Sequence, residues 1–426
     1  MLQSLYERLR DSLFALPALL IAALGSLSWL ARRIDATLPL DTNWLLTTTV
    51  DSTRSILSTV AAATITVSGI VFSMTAVVVQ LATSQLSPRV TQGFLRDRYQ
   101  QVTIGVNVGS FVYALLVLSD VHGTEEIPFS RHDFSVTLSV ALGVTSMILI
   151  VLFIDRTMRN LRIDTVIRWL SEQTIDAITS LPDREPPSIE EGGLPSEEPG
   201  SSVEVSKTGW VVAIDFDEIM RAIPASTVAR LDLRVGDFIV RREVAARTWP
   251  AIDPAAQEGL ARAVKVARTR SIATDPAYGL RQMVDIALRA LSAAINDPTT
   301  ASDVIRHLGG PLQTLLLRDL TGRVMTGPDD RRLYLPRELS HSEYVHNAFR
   351  EIRLYANGKP HVLLSLIETL ASLISVVERA ELSNRAGALR AEGEATLSMI
   401  ENSALPEADQ QALFDFARRV GLERPD

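Results

Sequence analysis

Small and polar residues recur in sevens between Ser52 and Ser87. One series is Ser52, Thr59, Thr66, Ser73, Gln80 and Ser87. A second, three residues on, is Ser55, Ala62, Gly69, Ala76 and Thr83. Bulky apolar residues fill the gaps, among them Ile56, Val60, Ile65, Ile70, Phe72, Val77 and Leu81. Positions three and seven apart share a helix face. The two series therefore predict one narrow seam on a long helix whose remaining surface is apolar enough for lipid. A third small series, Ala61, Ser68, Thr75 and Ala82, lies roughly opposite at ~100° per residue. Such a helix is approachable closely from two sides. That suits an inner helix packed between its own subunit and symmetry mates, with either tight packing or a pore between the copies.

The same hydrophobic pattern predicts four membrane spans, each needing about 20 residues. They lie at 12–30, 55–84, 102–119 and 135–154. Pro17 falls in the early turns of the first span, where proline is best tolerated. The seamed pattern overshoots into Ser84-Gln85-Leu86 before Pro88 breaks it. Asn107 sits in the third span and is expected to face inward, because an amide toward lipid is costly.

Beyond the spans the pattern changes. Residues 182–202 turn to proline, glycine, serine and glutamate, an acidic flexible linker. Alternating stretches at Val203–Val205, Trp210–Ile214, Leu231–Val235 and Phe238–Val240 predict a small β module, with a short helix from Asp215 to Ala222. From Asp253 the period is helical. Asp253-Pro254, Asp275-Pro276 and Asp297-Pro298 each write a helix start, aspartate capping the free amides and proline losing no bond at the first position. Helices are expected over 254–269, 276–294, 298–319, 341–356, 361–401 (with a break near Gly387) and 406–420. A loop or hairpin is expected over 322–336. The predicted fold class is an α-helical membrane domain of four transmembrane helices plus an α+β cytoplasmic domain made of a small β module and a helical bundle. The expected domains are a transmembrane domain over 1–160, a juxtamembrane helix and linker over 161–202, the β module over 203–250 and the helical domain over 251–426.

Composition agrees with this division: 46% of the 426 residues are hydrophobic while 22% are charged. A net charge of -8 gives no reason to expect nucleic acid. The chain has no cysteine, which excludes disulfides, thiolate metal sites and cysteine nucleophiles. Ala31-Arg32-Arg33 after the first apolar segment lacks a small-x-small cleavage site, so that segment is read as a retained span and not a signal peptide. Arginines then set the orientation. Arg8 and Arg10 precede the first span, Arg89, Arg96 and Arg98 fill the second loop, and Arg156, Arg159, Arg162 and Arg168 follow the fourth. Arg32, Arg33, Arg54 and Arg131 fall on the outer side. Both termini are expected in the cytoplasm, in a multi-pass protein of the inner membrane. Arg156, Arg159 and Arg162 recur at helical spacing as a positive-inside anchor, or as an anionic lipid-headgroup site.

The stretch from Gly279 to Thr300 carries the densest polar pattern of the cytoplasmic part. Arg281, Asp285 and Arg289 share a helix face, as an ion network or as a ligand or partner site. Asn296-Asp297-Pro298-Thr299 is explained as a helix N-terminus, and helix N-termini also bind anions. The run Ala287-Leu288-Arg289-Ala290-Leu291-Ser292 with Ile295-Asn296-Asp297-Pro298 resembles the signature of an uncharacterised bacterial membrane protein family, domain-of-unknown-function family 2254. Ser87-Pro88-Arg89, Gly209 with Ile214-Asp215, and Gly236-Asp237-Phe238 resemble it too. The likeness covers essentially the whole chain, departing at Ala293, where the family typically has proline. It implies four N-terminal spans and a cytoplasmic domain, and no established activity.

No cofactor is expected. The six histidines, His122, His132, His307, His341, His346 and His361, do not form a zinc pattern. The outer-loop group His122, Glu125, Glu126, His132 and Asp133 is a weak candidate for a divalent ion. No nucleophile elbow, phosphate loop or nucleotide fingerprint appears. Three function classes remain. The first is a homo-oligomeric channel or pore lined by the seam. The second is a non-conducting scaffold or sensor whose cytoplasmic domain binds a partner, ion or small ligand. The third is an enzyme built on Asp285, Asn296, Asp297 and His307, for which no catalytic motif is present. The lipid bilayer is a partner under all three.

Overall fold

The computed structural model describes residues 15–37, 46, 49–85, 98–121, 133–160, 162–181, 198–320, 324–336 and 338–422. Arg8, Arg10, Arg89, Arg96, Arg131, Ser87, the side chains of Ala82 and Thr83, the group His122, Glu125, Glu126 and His132, and most of the acidic linker lie outside them. The chain divides into two compact units, Met1–Arg162 and Ile163–Asp426.

Among the described residues the first unit has four helices: α1 (Ala15–Thr37), α2 (Val50–Gln85), α3 (Arg98–Leu118) and α4 (Asp133–Asn160). The central one is α3. Its Gly105 and Gly109, one turn apart, are roofed by α1: a Cβ at Gly105 would lie 2.9 Å from Leu20 Cβ and 3.0 Å from Pro17 Cα. At Gly109 it would lie 2.5 Å from Leu24 Cδ1. Small residues four apart let two backbones close up where lipid offers no hydrophobic drive between helices. The core is formed by Leu57, Tyr113, Val117 and Val136 toward one end and by Val67, Val71, Ile104 and Phe153 toward the other. Asp35 ties α1 to α4. Its carboxylate accepts from the backbone N–H groups of Phe134 and Ser135 at 2.9 and 3.0 Å, and so caps the N-terminus of α4.

The second unit opens with α5 (Ile163–Thr179) and a set of short strands: β1 (Ser201–Glu204), β2 (Gly209–Ile214), β3 (Val228–Leu231), β4 (Phe238–Ile239) and β5 (Val244–Trp249), with α6 (Phe216–Ala222) after β2. Asp215 caps α6 by accepting from Glu218 N–H. Then come α7 (Pro254–Ala263), β6 (Val264–Ala267), α8 (Pro276–Ala290), α9 (Pro298–Leu317), β7 (Val324–Thr326), β8 (Arg332–Tyr334), α10 (His341–Tyr355), α11 (Pro360–Arg379), α12 (Gly387–Glu401) and α13 (Glu407–Arg419).

Two expectations are corrected here, and a third is met in its hairpin form. The helix expected over 254–269 stops at Ala263, because Val264-Lys265-Val266 alternates and pairs antiparallel with β2. The helix expected to 294 stops at Ala290, where Asn296 turns left-handed (φ 48°) and Asp297 N–H returns to Ala290 O at 2.7 Å. The stretch 322–336 contributes a hairpin to the sheet: β8 pairs antiparallel with β7 and parallel with β3. The resulting sheets have the orders β1-β5-β3-β8-β7 and β4-β2-β6. Strand β5 was not expected at all. The long helix expected over 361–401 is broken between Arg379 and Gly387.

Five helices among the described residues, not four, are long and apolar enough to cross a membrane: α1 to α4 and also α11. Their exposed positions differ in polarity. The outward positions of α11 are polar: His361, Glu368, Ser372, Ser375 and Glu378. Those of α4 include Val144, Ile148, Val151, Leu152 and Met158.

Candidate functional site

The seam of α2 points away from its own unit. Thr59, Thr66, Ser73 and Gln80 of the first series are exposed, as are Ser55, Ala62, Gly69 and Ala76 of the second, and Ser52 is half-buried. A Cβ placed at Gly69 would meet nothing within 4 Å. The opposite face turns inward: Ala61 and Ser68 are buried, and Thr75 accepts from Gln100 Nε2 of α3 at 3.1 Å. Two of the seam hydroxyls bond their own helix. Thr59 donates to Ser55 O and Thr66 to Ala62 O, each at 2.7 Å. An open groove of about 540 Å³ runs beside Thr59 between α2 and α4, walled by Val60, Ala63, Gly143 and Met147.

Asn107 is fully buried on α3. Its amide donates to Thr103 O at 2.8 Å within the same helix, and its Oδ1 has no partner among the described residues. At the end of α4, the Arg156 guanidinium stacks 5.2 Å over the Tyr99 ring, Arg159 pairs with Asp155, and Arg162 N–H donates to Arg159 O.

The polar residues of the 279–300 stretch bond to one another and to neighbouring helices. Arg281 pairs with Asp285 at 2.8 Å along α8 and with Glu351 of α10 at 2.5 Å; the bond to Glu351 raises its pKa. Arg289 continues the same row one turn on, at the C-terminal end of α8. Ser292 donates to Arg289 O, and Asp297 caps α9 by accepting from Thr300 N–H at 3.1 Å and Thr300 Oγ1 at 2.6 Å. These bonds hold the Asp297 carboxyl below the usual carboxylate range. Pro298 occupies the first turn of α9, as the capping argument requires. Asp285 and Asp297 each bond these neighbours through their carboxylates. Among the described residues no group of three or more His, Asp or Glu is placed to hold a metal.

Sequence reasoning passed over a polar cavity of about 280 Å³ in the second unit. One wall is Arg270, whose guanidinium lies over the rings of Tyr278 (4.8 Å) and Trp210 (5.4 Å) and reaches Asp275 Oδ2 at 2.6 Å. Asp275 also caps α8 through Tyr278 N–H, and its burial raises its pKa. Gly236, left-handed at φ 95°, seats the preceding turn directly on this pair: a Cβ there would lie 2.7 Å from Asp275 Oδ2. The legible signals were Gly236-Asp237 and Asp275-Pro276. Only the fold shows that they meet.

The family model described as Predicted membrane protein (DUF2254) matches residues 10–372. Uncharacterized proteins of Mycobacterium bovis and Mycobacterium tuberculosis are each 30% identical over 329 residues, which is 75% of this chain and 63% of theirs. The chain thus spans less than two thirds of the length of these relatives. No solved structure matches it.

Proposed function

From a chain that belongs to the DUF2254 family of predicted membrane proteins, we propose a homo-oligomer in the bilayer whose subunits meet along the α2 seam, with the seam lining an axial ion pathway. Four helices, α1 to α4, cross the membrane, with both termini and the second unit in the cytoplasm. The fifth apolar helix, α11, is a core helix of that unit, a reading supported by its polar outward face. No catalytic role is assigned.

One observation carries the proposal: the small heptad face of α2 is open along its described length, whereas the glycines of α3 are covered. Gly105 and Gly109 have α1 against them, whereas a Cβ at Gly69 meets nothing within 4 Å among the described residues. Small residues on a lipid-exposed helix have no use unless another helix or water approaches. A non-conducting seam is the second reading. It is favoured by Thr59 and Thr66, whose hydroxyls are already bonded to their own helix and need no water.

The absence of cysteine makes the test direct. Single cysteines replacing Ala62, Gly69 or Ala76 are expected to cross-link copies of the chain in membranes, while cysteines at Ala61 or Ser68 are not. Cross-linking at the inward positions alone, or at none, removes the seam. In planar bilayers the pore predicts a conductance whose cation selectivity rises with Thr66→Asp. Cross-linking without conductance selects the second reading.

A further inference from the structure

The edge strand β4 and the residue after it leave apolar side chains in solvent. Phe238 and Val240 stand two apart, on one face of extended chain. They are 55% and 58% exposed, while Ile239 between them is buried. The Phe238 ring packs edge-on against Trp210, its direct partner on β2, with 5.2 Å between centroids. The chain then turns through Val240-Arg241-Arg242-Glu243. Two main-chain donors fasten this turn to the connection between β1 and β2: Arg241 N–H to Thr208 Oγ1 and Arg242 N–H to Val205 O, each at 2.9 Å. Arg242 is held left-handed there, at φ 73°, in a conformation that glycine adopts at less cost.

The fastening gathers positive charge. Lys207 of the β1–β2 connection, Arg241 and Arg242 of the turn, and Arg268 directly after β6 are all exposed. The register of β2 with β6, Trp210 opposite Ala267, puts Arg268 at the same end of the sheet. None of the four forms an ion pair among the described residues. Arg230, Arg234, Arg247 and Arg270 of the same module differ, since each meets an aspartate. The exposed acids on these connections are Glu204 and Glu243, and Glu243 turns its Oε2 to Val240 N–H at 2.8 Å.

Uncompensated cations around exposed apolar side chains suit an anionic lipid surface: phosphates meet the cations, and the headgroup layer takes the apolar tips. A chain whose first unit holds four candidate spans brings a bilayer with it. Its net charge of -8 favours no other large polyanion. We propose that this end of the β4-β2-β6 sheet docks on an anionic bilayer surface, with Phe238 and Val240 entering the headgroup layer and Lys207, Arg241, Arg242 and Arg268 meeting lipid phosphates. The docking is independent of the α2 seam and requires only that the chain sits in a bilayer.

The chain has no native cysteine, so Val240→Cys carries a single environment-sensitive fluorophore on the full-length protein in lipid nanodiscs. The lipids are phosphatidylcholine alone or mixed with phosphatidylglycerol, each with ordinary or brominated acyl chains. Quenching by brominated chains is expected in the phosphatidylglycerol discs, and it is expected to weaken in high salt, which screens exposed charges. Arg241→Gln with Arg242→Gln should lower the ratio of docked to undocked label about thirtyfold, since each cation near an anionic surface is worth about fivefold. Phe238→Ala should lower it at both salt concentrations. Circular dichroism checks that the variants are folded. Quenching that is absent from the phosphatidylglycerol discs, equal in phosphatidylcholine alone, or unchanged by the double arginine substitution overturns the proposal. A fluorescence change produced by polyglutamate or a DNA oligonucleotide, and not by the anionic lipid, overturns it equally and gives the patch to a soluble polyanion.

Discussion

His341 shows how a single side chain couples this fold to pH. It opens α10, and its Nε2 donates to Arg318 O at 3.0 Å across the gap from α9. Burial is the largest influence on the ring and lowers its pKa from about 6.5. The unfolded chain therefore takes up this proton at a higher pH than the folded one. Stability from the neutral ring is complete above pH ~6.5 and falls as the pH drops from there through the depressed value. Thermal midpoints of the full chain between pH 7.5 and 5 should fall less steeply in His341→Gln than in wild type; equal slopes would remove His341 as the source. Asp297 has the corresponding sign for an acid. Its pKa lies below the ordinary value near 3.9, so its contribution is present above that pH and is lost as the pH falls through the depressed value. Asp297→Ala should cost about 1 kcal/mol at neutral pH, the usual worth of an N-cap, measured by chemical denaturation.

At the level of elements, glycines separate contacts made inside the subunit from those that are not. Gly279 on α8 lies against α5, where a Cβ would sit 2.2 Å from Thr174 Oγ1 and 3.0 Å from Thr174 Cβ. Gly105 on α3 lies as close to α1. Gly279→Ala and Gly105→Ala should each destabilise by about 1–3 kcal/mol, as overpacked cores do. Gly69→Ala adds a methyl group into open space and should leave the melting of the isolated subunit unchanged. Periodicity made the α2 seam legible, since heptad spacing survives in sequence whatever fills the groove. The Gly105/Gly109 pair was equally present in the sequence, but its partner on α1 lies some eighty residues away, and nothing local points to it. The same limit hid β6. Val264-Lys265-Val266 continues a helical run and is drawn into strand by pairing with β2, a tertiary override of local propensity. Helix starts, by contrast, were written locally: Asp253, Asp275 and Asp297 each accept from the N–H three residues on. The cavity was illegible for a related reason. Its walls come from Gly236, Arg270, Arg318 and Tyr344, which only the packed fold assembles.

For the molecule as a whole, the decisive question is which apolar helices meet lipid. Hydropathy places α11 beside α1 to α4, yet burial distinguishes it from three of them. In its most apolar window 56% of the residues are buried, against 17% in α1 and α4 and 28% in α2. The central helix α3 has the same buried share as α11, but its neighbours are themselves candidate spans, whereas those of α11 are not. Val362, Leu366, Ile367, Leu370, Leu373 and Val377 form one buried stripe, and Glu368, Ser372, Ser375 and Glu378 line the other side. A helix with this division buries its apolar face against protein and turns its polar face to water. The second unit also carries its own core, from Leu231, Ala246 and Leu260 beneath the sheet to Leu308 and Leu312 on α9. Residues 163–426 expressed without α1 to α4 should therefore remain in the soluble fraction, with a helical circular-dichroism spectrum and a cooperative thermal transition. Recovery of that fragment only in membranes would make α11 a fifth span and reverse the side on which the chain ends, because an odd number of crossings separates the two termini.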